Sequence, residues 1–304
     1  MKTKFFLLAC FTAIGAVTFG QNFAFDIIKD EPIEPRISVN LDYFNLDLNT
    51  EISAIRLDNM SMNIGLFGYV KTLPFLDIDY NVHKSWLVFG KLGFKDYKGN
   101  TEVNTGVNFW LTKRVVRKDT KVVLNVEEDR GIDEVTRTTT YVMTPANHLK
   151  RFGLRGGIYG KSGPFNFDDY ADGQNFSEVE ETKISSYGIY GGLTFRRIIN
   201  IIIKDDAYGQ SFNSAGRDLY IDGLFVPINR FKDLNAEGAL VTDEVKSFRS
   251  QMPFGFRLGY RIFQVEKKTF TGKKFGMCGI GEAGYKPYQG WFISAGFGLT
   301  LVKI

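Results

Sequence analysis

Cysteine is nearly missing from this chain, with two in 304 residues, Cys10 and Cys278. Cys10 falls in a leader that export would remove, so the mature chain holds one thiol and no intrachain disulfide can brace it. Histidine is as scarce. His83 and His148 stand alone, without a cysteine cluster, which argues against a zinc centre. They fall near two turns expected on opposite sides of the fold, so they cannot share a catalytic site. Ser85 lies close to His83 but in the same tight turn, where no third group orients the pair. Glycine-rich pieces such as GIYGGLTF sit within strand-like sequence and open no helix, so they are no phosphate loop. The sequence thus predicts no enzyme, no cofactor and no metal. Charge excess is missing too: 38 Lys and Arg face 34 Asp and Glu, a net charge of +4 that gives no footprint for nucleic acid. Finally, no long apolar run follows residue 20. The longest, Ile198 to Ile203, is far too short for a spanning helix, so any membrane span must be made of strands.

What is present begins with an export signal. MKTK gives a basic start, Phe5 to Phe19 is almost wholly apolar or small, and Gly20 precedes Gln21. This reads as a secretory signal peptide over residues 1–20. Leu7-Leu8-Ala9-Cys10 looks like a lipobox, but few apolar residues precede Cys10 and the apolar run continues past it. A short periplasmic segment, 21–35, and one domain, 36–304, complete the expected organisation. Thirty-two glycines, 28 phenylalanines and 14 tyrosines suit a β-rich chain with aromatic belts.

The stretch FGFRLGYRIF, Phe254 to Phe263, alternates strictly: Phe254, Phe256, Leu258, Tyr260 and Ile262 against Gly255, Arg257, Gly259 and Arg261. Successive strand side chains point to opposite faces, so this strand has one apolar and one basic face. Alternation and breaks predict twelve strands: 36–48, 52–70, 75–82, 86–96, 102–127, 133–143, 150–160, 184–203, 217–226, 249–263, 274–285 and 290–303. An even-stranded barrel with both ends in the periplasm then has external connections at 49–51, 83–85, 128–132, 161–183, 227–248 and 286–289. Asp129-Arg130-Gly131 is a turn flanked by charge, so its hairpin is expected to project beyond a membrane. The acidic loop 166–182 carries six carboxylates; Asp168, Asp169 and Asp172 lack the spacing of a calcium-binding EF-hand loop, and a solvated loop is the better reading.

A charge pattern says which face turns inward. Asp218 and Asp222 are four residues apart, as are Arg257 and Arg261 on the next predicted strand. One antiparallel register sets Asp222 opposite Arg257 and Asp218 opposite Arg261, with Glu282 within reach from the following strand. Such a ladder offsets charge that a confined interior would otherwise make costly. Arg155 and Arg196 are further candidates for that interior.

The leader, the strand rhythm and the closing stretch GWFISAGFGLTLVKI resemble those of Gram-negative outer-membrane β-barrel proteins. The resemblance covers nearly the whole mature chain. It implies a single antiparallel transmembrane β-barrel of about twelve strands in the outer membrane, with lipid and other envelope proteins as partners. Two functions are expected of it: an accessory or docking subunit of a secretion or uptake complex, or a narrow pore for small solutes. Opposed charges favour the first, because neutralised side chains block a lumen.

Overall fold

A computed structural model describes residues 24–50, 60–90, 93–95, 101–130, 135–165, 182–232, 253–265, 276–287 and 290–303. The expected signal peptide, residues 166–181 of the acidic loop and Ile304 lie outside these. The strands are β1 (Phe25–Asp30), β2 (Ile37–Thr50), β3 (Met60–Leu73), β4 (Leu76–Gly90), β5 (Gly93–Lys95) and β6 (Thr101–Arg130). They continue with β7 (Val135–Phe165), β8 (Thr182–Asp205), β9 (Gly209–Lys232), β10 (Phe254–Phe263), β11 (Gly276–Lys286) and β12 (Gly290–Lys303). Ten of them close a ring in the order β2-β3-β4-β6-β7-β8-β9-β10-β11-β12, with β12 returning to β2 and every pairing antiparallel. β1 is added to the edge of β8, and the three-residue β5 to β4. No helix occurs among the described residues.

The ring holds ten strands and not twelve, because two expected breaks are continuous strand. His83-Lys84-Ser85 is part of β4: His83 and Ser85 are buried in the lumen and Lys84 is exposed outside. A polar interior makes that alternation compatible with a strand. Thr144-Pro145-Ala146-Asn147 is likewise part of β7. Proline is tolerated where one edge of a strand is unpaired, and the pairing of β7 with β8 begins only at His148. Losing two breaks also moves a turn. Arg130 and Val135, which pair at the tip of the β6–β7 hairpin, lie at the end of the barrel shared by Ile37 and Lys303, opposite the end where β7 stops and β8 starts. The expected external placement of 83–85 and 128–132 is therefore corrected.

That end, called the near end below, is extended. β6 pairs with β4 only up to Phe109, and β10 leaves β9 at Gly216, so two hairpins run on past the ring. They pack on each other through Val122 and Ala146 against Ile199, Ile201 and Ile203. Asn213 Nδ2 also donates to the Lys121 carbonyl at 2.9 Å. Burying both faces of β8 here explains why the run INIII loses the apolar–polar alternation of the ring.

Within the ring the two faces are sorted the opposite way from a water-soluble protein. Ile158, Ile189 and Ile293 are 61, 57 and 57 % exposed on the outer wall, while Arg196 and Arg257 are 2 and 1 % exposed inside. The glycines facing the lumen serve this packing. A side chain at Gly259, between Arg257 and Arg261, would overlap the Tyr220 ring, so the space is given to a tyrosine and not to the arginines.

Candidate functional site

Among the described residues the lumen holds the largest set of buried charges, and it is filled in layers. β9 and β10 adopt the register that sets Arg257 opposite Asp222 and Arg261 opposite Asp218. Arg257 uses it, donating from Nε and Nη2 to Asp222 Oδ2 at 3.1 and 2.8 Å. Arg261 does not. Its Nη1 crosses the lumen to Asp79 of β4 at 2.7 Å, and Asp218 is held instead by Arg196 of β8 through a two-pronged contact at 2.8 and 2.9 Å. The expected Asp218–Arg261 ion pair is thus corrected. A long guanidinium on a closed, curved sheet reaches the far wall as easily as the neighbouring strand, and Arg196 presents a planar fork that matches a carboxylate better.

The middle layer joins the Arg257–Asp222 and Arg261–Asp79 pairs. Arg155 lies 3.2 Å from Asp79 and 3.3 Å from Asp222, and Glu282 lies 3.7 Å from Arg257 while accepting from the Tyr220 hydroxyl. The Arg155 guanidinium stands 3.9 Å from the Tyr220 ring centre. Towards the far end Lys286 donates to Glu102 at 2.8 Å, with Lys161 and Asp47 beside them at 3.8 to 3.9 Å. Towards the near end Arg196 contacts Asp77 at 2.7 Å, and Asp77 also accepts from Trp110 Nε1 at 2.8 Å.

The near mouth is closed by a residue from outside the ring. Glu34, in the segment between β1 and β2, accepts from Arg196, Arg151 and Lys71 at 2.9, 2.6 and 2.9 Å. Burial alone would raise its carboxyl, but Arg196 and Arg151 overcome that and hold it down at about 2. Beside this layer Phe67, Tyr69, Leu149, Ile198, Phe263, Val265, Cys278 and Ile280 form an apolar cluster. Cys278 is therefore a buried packing residue.

Two of these ion pairs decide whether a path exists. β4 and β10 stand five places apart in either direction around the ten-strand ring, as do β6 and β11. Arg261–Asp79 and Lys286–Glu102 therefore each span the diameter at contact distance. The described lumen is crossed, not merely lined.

All seven expected interior residues are buried: Arg155, Asp222, Arg257, Arg261 and Glu282 share the middle group with Asp79, while Arg196 and Asp218 belong to the near-end group with Asp77 and Glu34. Sequence reasoning missed Glu34, Asp47, Asp77, Asp79, Glu102, Arg151, Lys161 and Lys286. A signal for part of this set was present: Asp77, Asp79, Asn81 and His83 share one parity of LDIDYNVH, an alternation hidden by reading His83 as a turn. His83 and His148 remain apart, the first in the lumen near Asp42 at 3.9 Å and the second in the near-end extension beside Thr120 and Arg197. No group of metal-ligating side chains is found among the described residues. Comparison with protein-family models, curated proteins and solved structures finds no match for this chain.

Proposed function

We propose that the chain is a non-conducting β-barrel of the bacterial outer membrane that serves as an accessory or docking subunit of an envelope assembly. The observation that carries this reading is the inside-out sorting of the ring: an apolar outer wall suited to lipid, around an interior crossed by ion pairs from opposite strands. Hydrocarbon demands a wall without unpaired backbone groups, which a closed ring provides. An ion-paired interior also costs less than isolated charge and leaves no continuous water path.

Docking is supported by the near-end extension. From Val135 to Ala146, β7 has β6 on one side and no described strand on the other. An exposed strand edge is a template for a strand from another chain, here a protein of the same envelope. The leader expected over residues 1–20 supports export to that compartment.

The testing experiment is a planar-bilayer recording of the purified barrel. The expected result is silence, and large, steady openings would replace this reading with the narrow pore. Placement has its own check: the protein should stay in the membrane pellet through a carbonate wash, whereas release would leave a soluble barrel. For docking, Thr136→Lys with Thr138→Lys adds charge to the exposed edge and should abolish co-purification of any envelope partner. An unchanged set of partners would move the docking surface elsewhere.

A further inference from the structure

The near-end rim carries an outward-facing row of cations that the network in the lumen does not use. Arg114 of β6 stands opposite Lys150 of β7, Lys150 opposite Arg197 of β8, and Arg197 opposite Arg217 of β9. Four strands thus place four positive side chains at one level. Like charges directly opposed on neighbouring strands destabilise a sheet, so such a row calls for an anion. No described carboxylate forms an ion pair with any of the four, although every buried arginine of the lumen has one.

The surroundings are as specific as the charge. One step along the strands, towards the middle of the barrel, the same outward face carries Phe152, Phe195, Leu219 and Tyr260; the two phenylalanine rings stand 4.8 Å apart. A cavity of about 200 Å³ opens where the cations meet this apolar wall, lined by Lys150, Phe195, Arg197, Arg217, Leu219 and Tyr260 among others. Arg197 is also held in place. Its Nε donates to His148 Nδ1 at 2.8 Å, which leaves the Nε2 proton of that ring to donate to Thr120 Oγ1 at 2.7 Å. Thr120 in turn donates to the Lys118 carbonyl at 2.9 Å. A relay from the projecting hairpin therefore orients one guanidinium of the row.

We infer that this rim binds the phosphate headgroup of an anionic phospholipid, with the acyl chains lying up the wall of Phe195, Leu219 and Tyr260. A lipid joins a compact anion to a long apolar tail, and this is the order in which cations and apolar side chains follow one another here. Basic pockets at the rim of a membrane protein recognise anionic headgroups by the same attraction. The inference rests on the membrane placement proposed above.

The test is native mass spectrometry of the full barrel released from vesicles of phosphatidylcholine alone or mixed with phosphatidylglycerol. The wild type should retain phosphatidylglycerol in preference to phosphatidylcholine. Lys150→Gln with Arg217→Gln should reduce that retention on the order of tenfold or more, while Lys121→Gln with Lys204→Gln, on the hairpins away from the row, should leave it unchanged. Equal retention of the two lipids, or no effect of the first pair of substitutions, would overturn the lipid site and leave the barrel reading standing. Displacement of the lipid by inorganic phosphate alone would make this a free-phosphate site and overturn it as well. Failure of the wild type to enter vesicles of either composition would instead sink the membrane placement, and the lipid site with it.

Discussion

At the scale of single residues, the interior shows why opposition along two strands is not the same as ion pairing. Backbone register puts Arg261 opposite Asp218, yet Arg261 bonds to Asp79 across the lumen. Arg261→Met should therefore cost on the order of 3 kcal/mol, because it removes one partner of a buried pair. Adding Asp79→Leu should recover much of the loss, and adding Asp218→Leu should not. Urea titration of refolding followed by tryptophan fluorescence distinguishes the two. Glu34 gives a pH dependence with a defined sign. Its carboxyl is lowered from an ordinary 4.5 to about 2 on folding, so its contribution is complete above about 4.5 and is lost as pH falls towards 2. The lowering corresponds to on the order of 3 kcal/mol. Wild type and Glu34→Gln should thus differ in stability at neutral pH and converge as pH falls to about 2. A difference that persists to that pH would contradict the closed near mouth.

At the scale of elements, each ring strand divides its work between two faces, and the division can be tested on one side chain. Ile158 sits on the outer face of β7. Ile158→Arg should cost roughly 2–4 kcal/mol for folding into vesicles if that face meets the middle of a bilayer, and almost nothing if it meets water. The near-end hairpins follow a different rule. Ile199, Ile201 and Ile203 are covered by Val122 and Ala146, so Ile201→Ala creates a cavity and should cost about 2–5 kcal/mol in a detergent-solubilised sample. Because this packing lies outside the ring, the loss should appear as early proteolysis of the hairpins while the heat-modifiable shift of the barrel on a gel is retained.

At the scale of the whole molecule, closure follows from counting places around the ring. With ten strands, β4 and β10 face each other, and one arginine–aspartate pair is long enough to join them. A wider ring would leave the same side chains apart and water between them. The barrel and its filling are for that reason one cooperative unit: the strands cannot separate without exposing the network, and the network cannot form without the ring.

The sequence alone determined the alternation of FGFRLGYRIF, the inward turn of its arginines, and the register that sets Arg257 against Asp222. These depend on period-two geometry and on a constant index sum between adjacent strands, which are local properties. It did not determine the number of strands. Polar His83-Lys84-Ser85 and Pro145 look like breaks unless one knows that the first faces a charged lumen and the second lies where β7 has an unpaired edge. Nor could it show that Arg261 meets Asp79 or that Glu34 closes the near mouth. Those partners are 182 and, for Arg196 with Glu34, 162 residues apart, and only closure of the ring brings them within reach. Local spacing fixes which face a side chain takes; the curvature that returns β12 to β2 decides whom it meets there.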